Sequence, residues 1–72
     1  VDPEDIKCIF KTNLRKLRQD KGWSHHTLSK KSGLSVASLR SCEWEGRFSA
    51  KTIAPLCRAF DIDPWVLFLK ED

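Results

Sequence analysis

The side chains able to ligate a metal or attack a substrate are few: His25 and His26, and the cysteines Cys8, Cys42 and Cys57. Neighbouring residues on a helix point about 100° apart, so His25 and His26 cannot face one ion together. Neither has a histidine at i+4 or a carboxylate cluster beside it, and no metal site is expected. The cysteines are odd in number and widely spaced, with no C-x-x-C pair, which is neither a disulfide framework nor a zinc spacing. Each sits among apolar residues where a helix would bury it, so all are expected to be reduced core thiols in a cytoplasmic protein. Cys42 with His25 would supply a nucleophile and a base, but no third group orients them and nothing offers an oxyanion site. A chain of 72 residues also lacks the bulk for a substantial pocket. The expectation is therefore no enzyme, no cofactor and no small-molecule ligand.

A second chemistry is available, the neutralisation of a polyanion. From Lys11 to Lys31 seven cations (Lys11, Arg15, Lys16, Arg18, Lys21, Lys30 and Lys31) stand against Asp20 alone. From Ile53 to Asp72 the balance reverses, with Arg58 and Lys70 against Asp61, Asp63, Glu71 and Asp72. A net charge of +3 distributed in this way gives the molecule one face preferred by phosphate. On charge alone a plain solvated helix surface is an equal reading. The aromatic residues Trp23, Trp44 and Trp65 could stack bases or fill a core; Trp44, between Glu43 and Glu45, has no assigned place.

The elements that would position these residues are helical. Only three Gly and three Pro interrupt the chain, and alternating strand patterns are absent. A domain this small buries only about 60% of its unfolded surface, so a few large side chains must form the core. Asp2-Pro3-Glu4-Asp5 is a helix start, and Ile6, Ile9, Phe10, Leu14 and Leu17 form one apolar stripe up to Gly22. Ser24 caps a short second helix over 25–31, stopped by Gly33, and Ser35 caps a third over 36–44. Ser49 or Thr52 opens a fourth. Pro55 fits only a first turn, so the regular helix is expected over 52–60, or with a bend at Pro55. Asp63-Pro64 opens a last helix over 64–69. The expectation is one all-α domain over 1–72, a compact five-helix bundle. The longest apolar run is too short for a bilayer, and no signal segment opens the chain, so no membrane partner is expected. The chain begins with Val, as a processed or excised fragment would.

The segment from Ser24 to Glu43 carries the most information. Two short helices meet at Ser32-Gly33-Leu34-Ser35. A steep crossing needs a small residue where the helices pass, which Ser29 supplies, and a turn residue tolerant of positive φ, which Gly33 supplies. The second helix then stands proud of the body, where it can enter a groove about 12 Å wide.

In order and spacing the chain resembles the phage-repressor/Cro (lambda-repressor-like) helix-turn-helix family. The landmarks are Leu14-Arg15-x-Leu17-Arg18-x-x-Lys21-Gly22-Trp23-Ser24, Leu28-Ser29-x-x-x-Gly33-Leu34-Ser35-x-x-x-Leu39-x-x-Cys42-Glu43, Thr52-Ile53-x-x-Leu56-Cys57-x-Ala59-Phe60, and Pro64-Trp65-x-Leu67-Phe68. The resemblance runs from about Phe10 to Phe68. It implies a recognition helix with Ser35, Val36, Ala37, Ser38 and Ser41 at base edges, and Arg40 reaching a base or a phosphate. It implies backbone contacts from Ser24, His25, Arg47 and Lys51, and a buried Arg18–Glu43 salt bridge tying the first helix to the third. Trp23 and Trp65 stand where the family has core residues.

Departures from the family pattern are specific. His25 stands where Gln is usual, Ser29 where Ala is usual and Cys42 where Ile, Leu or Trp is usual; the turn at Trp44-Glu45-Gly46 has its glycine displaced by one. Val36, Ala37 and Ser38 are too small for bidentate base contacts, so readout would lean on thymine methyls, Arg40 and DNA shape. The function implied is sequence-selective binding of double-stranded DNA by a phage or bacterial transcriptional regulator, expected to be a repressor acting as a homodimer. The rival reading is the same fold used as an antitoxin-like or adaptor module for a protein partner.

Overall fold

The computed structural model describes residues 2–70. Four α-helices follow in order, α1 (Pro3–Asp20), α2 (His25–Ser32), α3 (Val36–Glu45) and α4 (Ala50–Phe60), with a 3₁₀ segment at Pro64–Phe68. The five-helix expectation is thus corrected: the last segment is too short to settle into an α-helix and takes the tighter winding used for single turns.

Local chemistry sets most of the boundaries. Asp2 Oδ1 accepts from the Glu4 N–H at 2.9 Å. Ser24 Oγ accepts from Thr27 N at 3.2 Å and Ser35 Oγ from Ser38 N at 3.1 Å. Each satisfies an N–H that the first helical turn leaves without a partner. The fourth helix departs from expectation. It starts at Ala50, and Pro55 lies inside it. Thr52 holds this earlier start, since its Oγ1 accepts from Ser49 N at 2.9 Å. Proline leaves the Lys51 carbonyl without its helical donor, at an exposed residue of the helix's first turn.

The core is one cluster of Phe10, Leu14, Leu28, Leu39, Cys42, Leu56, Cys57, Phe60 and Leu67, drawn from every element. Phe10, Phe48 and Phe68 close one end, with ring centroids 5.1 to 5.7 Å apart. Trp23 stacks on Phe60 at 5.3 Å and closes the other. Two core expectations fail. Cys8 is exposed, because the buried stripe of α1 runs through Phe10 and Leu14 and leaves Cys8 on the outer side. Trp65 is 61% exposed. With three residues per turn, the 3₁₀ winding places Trp65 two-thirds of a turn from Leu67, the residue it buries.

Candidate nucleic-acid interface

The α2–α3 hairpin is pinned by its serines. Ser29 Oγ donates to the Leu34 carbonyl, and Ser32 Oγ donates to the Leu28 carbonyl at 2.7 Å while accepting from Leu34 N at 3.2 Å. Gly33 takes φ +81° and its N–H returns to the Ser29 carbonyl at 2.8 Å. The turn between the helices is therefore fixed without a bulky side chain.

The inner face of α3 carries Leu39, Cys42 and Glu43, all buried. Glu43 is 1% exposed and is the one buried charged side chain among the described residues. Arg18 Nε donates to its Oε2 at 2.9 Å and Arg18 Nη2 to its Oε1 at 3.3 Å. The same guanidinium donates through Nη1 to the Trp23 carbonyl at 2.7 Å, so one side chain of α1 fixes both α3 and the loop before α2. Arg15 adds a contact of 3.8 Å to Oε1, and its Nη2 donates to the Glu43 carbonyl at 3.1 Å. His25 Nε2 lies 2.9 Å from Oε2 but off the direction of a hydrogen bond, and that nitrogen is buried. Two guanidiniums hold this carboxylate and tie α1 to α3, and the His25 ring of α2 lies against it. The parts played by Arg15 and His25 escape the sequence reading. The only hint is that Arg15 lies three residues before Arg18, on the same side of α1.

Cys42 borders this cluster. Burial pushes its thiol pKa up, and the neighbouring Glu43 carboxylate adds to the rise. Burial likewise raises Cys57, with Asp63 contributing. Both thiols are held protonated, which makes them poor nucleophiles. Among the described residues no three His, Cys, Asp or Glu side chains group closely enough to hold a metal ion.

The C-terminus of α3 is fixed by Gly46, at φ +72°. A Cβ there would sit 2.7 Å from the Lys7 carbonyl oxygen, so the absent side chain lets α3 end directly against α1. The helix runs on to Glu45, and this longer path accounts for the displaced glycine.

Ten residues are expected from the sequence to meet DNA, and the fold separates them. Ala37 and Arg40 are exposed on α3, with Val36 and Ser41 half-buried beside them. Ser35 is occupied as the cap, and its Oγ also donates to Ser38 Oγ at 2.9 Å. Ser38 turns instead toward an open cleft of about 340 Å³, which it lines with Ser41, Cys42, Arg47, Phe48, Ser49 and Thr52. Ser24 is the cap of α2, and its hydroxyl lies 3.1 Å from that of Thr27. Lys51 is exposed at the start of α4. Arg47 is exposed but held by Glu45, with 2.7 Å between Nε and Oε2. His25 is drawn in to Glu43 and so is not simply presented to solvent.

A short helix packed against a second one whose outer residues Ala37 and Arg40 are exposed is the geometry of a major-groove reader. A family model for the Cro/C1-type helix-turn-helix DNA-binding domain matches residues 13–65, which takes in α2, α3 and α4 whole. The chain belongs to that family. Comparison with curated proteins and with solved structures gives no match. In this Cro/C1-type domain, α2 and α3 form the helix-turn-helix. Among the described residues no helix is long and apolar enough to cross a membrane.

Proposed function

We propose that this Cro/C1-type domain is the sequence-selective DNA-binding part of a cytoplasmic transcriptional regulator, a repressor of phage or bacterial type, with α3 in the major groove of double-stranded DNA. One observation carries the reading: the outer surface of α3 is free, while its inner surface is fastened to α1 and α2 through Glu43. A rigidly held helix with an unengaged outer surface is what base readout needs.

In this reading Arg40 supplies the one long reach to a guanine edge or a phosphate, and it has no partner among the described residues. Val36 and Ala37 meet thymine methyls, and Ser41 offers a hydroxyl. Ser35 contributes through the helix N-terminus it caps, and Ser38 through its bonds to that cap. Ser24, Arg47 and Lys51 lie along the phosphates, and His25 supports that contact from its place beside Glu43. Two copies bind half-sites about 34 Å apart. Trp65 and Leu69, 61% and 50% exposed, are the apolar surface through which they pair. Phe68 is not free for this, being stacked on Phe10 at 5.7 Å.

A mobility shift with selection from random duplexes at two salt concentrations tests the proposal. The expected outcome is an enriched half-site and an affinity that falls steeply with salt, because cations on the protein displace condensed counterions. Retention of no duplex at low salt would overturn it and favour the reading in which the small outer surface of α3 docks a protein.

A further inference from the structure

Trp44 is 63% exposed, the largest exposed fraction of any bulky apolar side chain among the described residues. It makes no ring contact with another aromatic among the described residues. On α3 it follows Ala37 by seven residues, which at 100° per residue returns it to within about 20° of the same direction, roughly 10 Å further along the axis. Trp44 therefore shares the outward surface with Ala37, Arg40 and Ser41.

Its chain neighbours Glu43 and Glu45 are acids matched by arginines, and the cation left without a partner among the described residues on its own face is Arg40, four residues before it. Arg15 is tied to the carbonyl of Glu43, at 3.1 Å, and Arg47 to the carboxylate of Glu45, at 2.7 Å. On the outward surface of α3 the indole is joined by Ala37, Arg40 and Ser41, while Phe48, 38% exposed, packs its ring on Phe10 and Phe68. One apolar ring with the Arg40 guanidinium on the same face is a poor match for an apolar protein partner, whose docking needs a contiguous patch. It suits a chain of phosphates joined by apolar sugars. With the helix N-terminus seated in a groove about 12 Å wide, a side chain roughly 10 Å back along the axis reaches the groove wall, not its floor.

We infer that Trp44 is a DNA-backbone contact at the rim of the major groove, its ring covering a deoxyribose and its N–H available to a phosphate oxygen. The inference rests on the proposed DNA-binding reading. An uncharged contact of this kind adds affinity on every sequence and releases no counterion.

The test compares the intact chain with Trp44→Ala and Arg47→Ala on the selected duplex and on the random-sequence pool, across a salt series. Trp44→Ala is expected to weaken binding roughly tenfold on both DNAs, with the salt slope and the melting temperature unchanged. Arg47→Ala is expected to lower the slope by about 0.9. Trp44→Phe, which keeps a ring and loses the N–H, falls between. Binding of Trp44→Ala within twofold of the parent overturns the inference and leaves the DNA reading standing. A loss confined to the selected duplex also overturns it, assigning Trp44 to base readout, as does a loss traced by sedimentation to a broken homodimer. If the parent chain retains no duplex, inference and reading fall together.

Discussion

The two faces of α3 are built on opposite rules. Inward, every polar atom of Glu43 is spoken for by Arg18, Arg15 or His25, and Gly46 meets Lys7 with no space to spare. Outward, Ala37, Arg40 and Trp44 are exposed to water. The inner face fixes where the helix stands, and the outer face is left to recognise. Because the two are on opposite sides of one helix, substitutions should sort cleanly into those that cost stability and those that cost DNA affinity.

The sharpest way to break that separation is at the inner face. Arg18→Ala removes the two closest donors from a carboxylate that is 1% exposed. Stripping one partner from a buried pair costs about 3–5 kcal/mol, and the low end is expected because Arg15 remains. Denaturant unfolding measures it. Were stability to fall by under about 1 kcal/mol, the cluster would not be what holds α3. Gly46→Ala comes next, at about 2–3 kcal/mol, since the methyl meets backbone at 2.7 Å in addition to the strain of φ +72°. Gly33→Ala, with nothing within 4 Å of the added carbon, should cost only about 1 kcal/mol. The difference between the two glycine variants isolates the α3–α1 contact.

On the outer face the expected effect moves from folding to binding. Arg40→Ala should leave the melting temperature unchanged and weaken the selected duplex by about 1–2 kcal/mol, relaxing preference at one base pair if Arg40 reads guanine. A uniform loss on all duplexes with a shallower salt slope would assign Arg40 to phosphate instead. A drop in melting temperature would contradict the division between the faces.

What the amino-acid sequence discloses follows the range of each interaction. Ser24 and Ser35 are legible as caps because capping is decided within three residues, and Gly33 because a turn of this kind needs positive φ. Leu28, Leu39 and Leu56 are legible as core by helical spacing. The Arg18–Glu43 pair came through family resemblance, not through spacing, since 25 positions separate the partners. The attachment of His25 and Arg15 to that carboxylate depends on how α1 and α2 cross α3, which no local pattern encodes. Trp65, placed in the core through the family resemblance, is turned out because it lies two-thirds of a turn from the buried Leu67. Pro55 shows the converse, a local rule set aside where the Ser49–Thr52 capping box starts the helix two residues earlier.

The smallest predicted effect sharpens the comparison by giving the inner face a signature in pH. Cys42 and Cys57 are buried, and burial raises both thiol pKa values above their ordinary range. A raised value means that the folded chain keeps its proton where the unfolded chain has begun to release it. Stability therefore is fully present below the ordinary thiol value near 8.5 and declines as pH rises above it toward the folded values. At pH 9 the loss should be under about 1 kcal/mol per thiol, since the unfolded thiol is then only partly ionised. Urea unfolding at pH 7, 8 and 9 reads the decline. Cys42→Ala should lower stability throughout but flatten the alkaline slope. Glu43→Gln, which removes the lesser cause and leaves the burial, should keep most of it. Arg40→Ala, on the outer face, should run parallel to the parent at every pH. If Arg40→Ala altered the slope as much as Cys42→Ala did, the two faces would be coupled, and stability and recognition could not be assigned to opposite sides of α3.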